Sequence, residues 1–314
     1  MWPWQSFALG HPKVGNEDMK LADLYKAQGL VVSFELFPPK KWRGMANLFE
    51  HFNELAACHP SFVTCTYGAG GSTSTRTLEV LEWIRGDYPE IPVALHLTCA
   101  GLTRAELRAY VDDAVKRGAQ GIVALRGDPP GGEAFTQPPG GLRHANELVA
   151  LIRAAHPDLT ILVGGYPEVH PEASSPEADL ENLKRKVDAG ADVVLTQLFY
   201  DNALYFRFRD RCEKAGIRVP IVPGILPVTN LTQVKRITSL CGATLPQRLM
   251  QRLETYSTDE EGQFAVGVYY ATRQVEELVE QGAPGIHFYV LNKSRAATLI
   301  CRALTLDRLA TPLS

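Results

Sequence analysis

The chain has 314 residues, 45% hydrophobic and 21% charged, which is enough for one large domain or two and too apolar for extended disorder. Its formal charge of −3, from 32 Lys and Arg against 35 Asp and Glu, leaves no basic surplus for nucleic acid or an anionic membrane. No run reaches the ~18 consecutive apolar residues of a membrane helix, and Met1-Trp2-Pro3-Trp4-Gln5 lacks a secretory leader's basic-then-apolar opening, so a cytoplasmic protein is expected.

Residues 1–25 read as an N-terminal extension, and 26–314 as one repeating domain. An apolar run, Leu30–Leu36, precedes a helical pattern at Met45–Cys58. Then come Ser61–Thr66 with Arg76–Arg85, Val93–Leu97 with Thr103–Arg117, and Gly121–Leu125 with Arg143–Ala155. Thr160–Gly164 leads to Glu177–Ala189, Val193–Gln197 to Asn202–Ala215, and Ile221–Gly224 to Leu231–Leu240. After a longer interval containing Phe264–Gln281, an eighth run stands at Ile286–Tyr289. The runs are continuously apolar, as strands buried on both faces are, and the segments between them carry apolar residues at i, i+3, i+4. Thr103 and Glu106 have capping-box spacing, and Gly118 and Gly190 stand where helices should stop.

This alternation predicts an α/β fold, a single (β/α)8 TIM barrel. An open doubly wound sheet is the alternative. Its glycine fingerprint fails at the last position of Gly68-Ala69-Gly70-Gly71-Ser72-Thr73, and Gly127–Gly132 has phosphate-loop spacing but continues with Glu133, not Lys. The six cysteines form no C-x-x-C pair and read as buried free thiols. None of the eight histidines has metal-ligand spacing, so no metal is expected.

A barrel keeps its chemistry at the C-terminal strand ends. Glu35 is a carboxylate inside an apolar run, where burial raises its pKa toward that of a neutral-pH general acid; a core Glu with a basic partner is the plainer alternative. Thr64 and Thr66 share a face before the Gly68–Gly71 turn. His96 and Thr98 lie on the third strand, and Arg126-Gly127-Asp128 ends the fourth. The guanidinium suits a phosphate and the Asp suits the N–H groups of a heterocycle. Gln197 can both donate and accept toward a planar amide-like ring. Lys184, Arg185 and Lys186 read as a solvated face. The set suits a flat polar heterocycle and one proton transfer, without saying which heterocycle.

These strand ends resemble the methylenetetrahydrofolate reductase family. The motifs are SFELFPPK at Ser33–Lys40, TCTYGA at Thr64–Ala69, His96-Leu97-Thr98, ALRGDPP at Ala124–Pro130 and GYPEVHPEA at Gly165–Ala173. DLENLKRK at Asp179–Lys186, DAGADVVLTQLFY at Asp188–Tyr200, PIVPGILP at Pro220–Pro227 and HFYVLN at His287–Asn292 continue the order. The resemblance implies a barrel holding FAD, reduced by NADH or NADPH, which then reduces methylenetetrahydrofolate to 5-methyltetrahydrofolate in ping-pong fashion. It implies Glu35 as general acid, opening the folate's five-membered ring, and Asp128 beside flavin and pterin. Flavin-contact positions are Thr66, Tyr67, Ala69, His96, Arg126, Gly127, Asp128, His144, Ala145, Tyr166, His170, Ala173, Asp179, Arg185 and Lys186. Gln197, Gln233 and Lys293 match folate positions, and Gln197 also serves the nicotinamide.

His144 replaces the Tyr of some bacterial members. Lys293 replaces an Arg that would grip the folate tail bidentately. Gly70-Gly71-Ser72 departs from the commoner loop. Family members commonly form dimers or tetramers. With residue 314 last, the eukaryotic regulatory domain and inhibition by S-adenosylmethionine are not expected. A methyltetrahydrofolate oxidase and a non-catalytic pterin- or flavin-binding barrel stay open as alternatives. A Schiff-base aldolase lacks a strand-end Lys before Lys293.

Overall fold

A computed structural model describes residues 20–27, 29–68, 74–127 and 135–306. In chain order the elements are β1 (Val31–Leu36), α1 (Met45–Ala56), β2 (Phe62–Cys65), α2 (Ser74–Asp87), β3 (Val93–Thr98), α3 (Arg104–Lys116) and β4 (Gly121–Leu125). They continue as α4 (Ala145–Ala155), β5 (Thr160–Gly165), α5 (Pro176–Asp188), β6 (Val193–Thr196), α6 (Asn202–Lys214), β7 (Ile221–Val222) and β8 (Gly224–Ile225). The last are α7 (Leu231–Cys241), α8 (Gln247–Glu254), α9 (Glu260–Glu280), β9 (Gly285–Tyr289) and α10 (Ser294–Ala303).

Every strand pairing is parallel, and the order is β7-β6-β5-β4-β3-β2-β1-β9-β8. The run expected as one strand at Ile221–Gly224 is two short pieces, because Pro223 has no N–H to give a ladder. The first piece pairs with β6 and the second with β9, so one broken stave passes its ladder from neighbour to neighbour and closes a barrel of eight staves. The His287 N–H donates to the Pro223 carbonyl (3.0 Å) and the Gly224 N–H to Thr196 Oγ1 (2.9 Å), fastening the break on both sides.

Alternation divides the strands. Val32, Phe34 and Leu36 face outward into the helix layer, while Val31 faces inward with Phe62, Ala94, Leu162 and Val193. A 3-10 turn at Leu21–Lys26, mostly within the stretch expected as an extension, covers the N-terminal mouth. Leu21 and Leu24 join the inner cluster, and the Ala22 N–H donates to Thr160 Oγ1 at 3.1 Å.

The Thr103–Glu106 capping box forms, and Gly118 and Gly190 have φ of 94° and 115° at the ends of their helices. Two helices have no counterpart in the sequence reading. α8 starts behind Pro246 and α10 behind Lys293, neither of which offers a side-chain cap. Among the cysteines, five are buried, and Cys241 is half-buried, short of the burial expected for it; none is in a disulfide.

Candidate active site

The inward face changes character along each strand. On β1 it runs Val31, Ser33, Glu35; on β2 Phe62, Thr64, then Thr66 just beyond; on β3 Ala94, His96, Thr98. Register places Ser33 opposite His287, and Glu35 opposite Thr64 and Tyr289. Above this layer lies a cavity of about 400 Å³, walled by polar residues (among them Glu35, Thr66, His96, Gln197, His287 and Tyr289) and by apolar ones (among them Phe37, Leu125, Leu198, Leu226, Ile237 and Leu291). That size falls within the range of small-molecule sites.

Glu35 is 8% exposed, and among the described residues no Lys or Arg pairs with it. Desolvation pushes its carboxyl up to about 8, so it holds a proton at neutral pH. The neighbouring His96 Nε2 is 3.5 Å from Glu35 Oε2, yet burial lowers His96 to about 3. Both groups are therefore neutral at pH 7, and the contact is not an ion pair. His287 is likewise pushed down to about 3, by burial and then by His96, and its Nδ1 bonds the Ser33 hydroxyl at 2.8 Å. Thr64 Oγ1, His96 Nε2, Thr98 Oγ1 and His287 Nε2 are buried without a hydrogen-bond partner among the described residues. Orphans of this kind are rare in a finished core and common where a ligand or water is received.

Five of the expected site residues meet in this cavity: Glu35, Thr66, His96, Tyr166 and Gln197. Gln197 folds back so that its Oε1 accepts the Leu198 N–H at 2.9 Å. The other expected residues that are described do not line it. Tyr67 packs edge-on to Tyr110, with ring centroids 5.0 Å apart. Arg126, just after β4, makes a two-pronged pair with Glu172 (2.5 and 2.8 Å). Gly127 follows at φ 80°, where a Cβ would lie 2.5 Å from Thr98 Cβ. His144 and Ala145 open α4.

In the β5–α5 loop the His170 ring meets Tyr166 at 4.6 Å, the Asp179 carboxylate accepts the His170 N–H at 3.1 Å, and the Ala173 N–H donates to the His170 carbonyl. The expected basic face divides. Lys184 pairs with Asp188 and the exposed Arg185 with Glu181, whereas Lys186 sends its ammonium inward to the Gly164 carbonyl. Burial lowers Lys186 to about 8 against the opposing pull of Asp179, leaving a desolvated cation beside the cavity wall. Gln233 lies in the first turn of α7 behind its Asn230 cap, and Lys293 lines a small side recess that shares Leu226, Tyr289 and Leu291 with the main cavity. Ala69 and Asp128 lie outside the described residues.

Sequence reading did not assign Phe37, Leu226, Ile237, His287, Tyr289 or Leu291 to the site. Alternation along β9 carries the signal for His287 and Tyr289, since both share the inward face of Gly285. Tyr289 donates its hydroxyl to the Thr196 carbonyl at 2.6 Å. Asn292 bonds both backbone groups of Phe37, its Oδ1 accepting the N–H (2.9 Å) and its Nδ2 donating to the carbonyl (2.6 Å). Leu291 and Asn292 both have positive φ, 49° and 53°, which for Leu costs about 1–3 kcal/mol. No group of three metal-ligating side chains occurs among the described residues, and no described helix is long and apolar enough to cross a membrane.

A family model described as methylenetetrahydrofolate reductase matches residues 20–305. The 5,10-methylenetetrahydrofolate reductase of Escherichia coli K12 is 41% identical over 282 residues, covering 90% of this chain and 93% of that one. Methylenetetrahydrofolate reductase (NADH) 1 of Arabidopsis thaliana is 38% identical over 294 residues, 89% of this chain and 50% of the plant protein. A solved Clostridium thermocellum structure, described as binding two copies of 5-methyl-5,6,7,8-tetrahydrofolic acid, has the same fold, with a TM-score of 0.59 at 14% identity over 91% of this chain and 99% of that one. The chain belongs to the methylenetetrahydrofolate reductase family.

Proposed function

We propose that this protein reduces 5,10-methylenetetrahydrofolate to 5-methyltetrahydrofolate, with FAD between it and NADH or NADPH, and with Glu35 as the general acid. One observation carries the reading: a carboxyl that keeps its proton to about pH 8 faces a cavity of about 400 Å³ at the C-terminal end of a barrel. Ring opening of the folate's methylene bridge places a proton on the departing nitrogen, and a neutral buried acid suits that step. Gln197 offers a donor and an acceptor to a ring in the cavity. Lys293, at the side recess, suits the carboxylates of the folate tail as a single point of charge.

The residues present fit a flavin. His96 Nε2 and Thr98 Oγ1 are orphaned, as polar atoms awaiting a ligand are. Among the described residues a Cβ at Gly164 would meet Leu125 alone, at 3.7 Å, so that stretch of cavity wall is open. Lys186, with Arg126 at the rim and the α4 N-terminus at His144 and Ala145, would hold anionic groups. When bound, the flavin supplies two-electron storage between the two substrates. The plant relative carries NADH in its name, which favours NADH over NADPH. A homo-oligomer of two or four chains in the cytoplasm completes the reading, with Trp42, Leu240 and Tyr269 among the exposed apolar side chains available to subunit contacts.

The test is rapid mixing of flavin-loaded enzyme. NADH should bleach the flavin in wild type and in Glu35→Gln alike, while reoxidation by methylenetetrahydrofolate should fall about 10²–10⁴-fold in the variant. Equal reoxidation rates would remove Glu35 from the mechanism.

A further inference from the structure

We infer that Asn292 is a positioning residue for folate reduction, locking Phe37 and Leu291 as walls that hold a flat heterocycle at a fixed distance from Glu35. The inference rests on the folate reading of the same cavity.

The β1–β9 ladder ends at the pair Glu35–Tyr289. Beyond it the two strands would part, leaving the Phe37 N–H and carbonyl without a neighbour in the sheet. Instead the chain after β9 turns through two successive non-glycine residues of positive φ and presents the Asn292 side chain. Its amide is a chemical copy of a peptide unit, with one acceptor and a donor in the same plane. It gives Phe37 what the next residue of a strand would have given, at 2.9 and 2.6 Å. Asn is also the side chain best suited to a left-handed backbone after Gly.

The clamp has two consequences at the cavity. Phe37 lies two residues beyond Glu35, so fixing its backbone fixes the segment that carries the acid. Leu291 is held at φ 49°, a conformation Leu seldom adopts, and it lines the cavity together with Phe37. Two apolar walls and the proton donor are thus tied to one side-chain amide. Proton transfer tolerates little displacement, and about 1 Å of misplacement can cost 10²-fold.

The experiment uses flavin-loaded Asn292→Gly and Asn292→Asp. Glycine accepts the left-handed backbone and removes only the clamp. Aspartate keeps the acceptor but sets an oxygen against the Phe37 carbonyl. Reoxidation by methylenetetrahydrofolate should slow about 10- to 100-fold in both. Bleaching by NADH, which needs no proton from Glu35, should stay within about threefold, and the apparent pKa of the folate step should not move. Equal slowing of both half-reactions, or a lowered Tm with an unchanged folate step, overturns the proposal by making Asn292 structural. Should the glycine variant fold poorly, Asn292→Asp carries the comparison. Retained folate reduction in Glu35→Gln overturns the acid reading and the clamp together. Loss there beside a normal folate step in Asn292→Asp overturns the clamp alone.

Discussion

The lower lumen of the barrel is filled by Val31, Phe62, Ala94, Leu162 and Val193, with Leu21 and Leu24 closing it from below. Two residues further along the same strands stand Ser33, Thr64, His96, Gly164 and Leu195, and β9 adds His287. One backbone geometry thus serves two purposes within about two residues' rise of strand. The lower layer buries apolar surface, worth roughly 25 cal/mol per Å². The upper layer keeps buried polar atoms unpaired, and each costs about 1–3 kcal/mol. Apolar packing is concentrated at one end and unpaired polar groups at the other, and the upper end is held in its unfavourable state by the lower.

Substitutions in the two layers should therefore separate activity from stability. The largest effect belongs to Glu35→Gln, with folate reduction down about 10²–10⁴-fold while Tm at pH 8 stays level or rises, since a desolvated carboxylate is removed. Half-reaction rates and calorimetry on one preparation check both. The opposite outcome is expected of Leu24→Ala, which empties a fully buried site: about 2–5 kcal/mol of stability lost, with kcat of the folded enzyme retained. A fall in kcat there would mean that the lower layer also shapes the cavity.

Next comes the pH dependence of stability. Glu35 has its pKa raised from 4.5 to about 8 in the folded protein, so the folded state binds more protons across that window and stability declines as pH rises through it. His96 and His287 are lowered from 6.5 to about 3, so the unfolded state binds more protons between those values and stability declines as pH falls. Denaturant titrations from pH 4 to 9 should show both slopes, the alkaline one flattened in Glu35→Gln and the acid one in His287→Asn. The smallest effect is Thr64→Val, where deleting an orphaned buried hydroxyl should leave stability unchanged or raise it by about 1 kcal/mol.

The barrel was legible because each stave is a continuous apolar run, a pattern that only a strand covered on both faces requires. Glu35 was legible for the converse reason, as a charge breaking such a run. What escaped has no local signature. The break at Pro223 depends on which neighbour each half of the stave meets. α8 and α10 begin without capping side chains. Leu226, Ile237 and Leu291 are ordinary apolar residues whose place in the cavity wall is fixed by long-range closure. Lys186 looked like part of a solvated face because sequence spacing does not tell which member of a basic run turns inward, where the Gly164 carbonyl awaits it.

The proline interruption gives the cylinder a seam. Each half of that stave contributes two ladder residues, whereas β3 and β4 are matched over five. Cooperative opening starts where the fewest backbone bonds must break. Deuterium should accordingly reach the amides of Val222 and Ile225 before those of Leu95 and Val123. The cavity flank built from Leu226 and Ile237 follows directly on this seam, so that side of the wall can yield while the staves bearing Glu35 and His96 stay zipped.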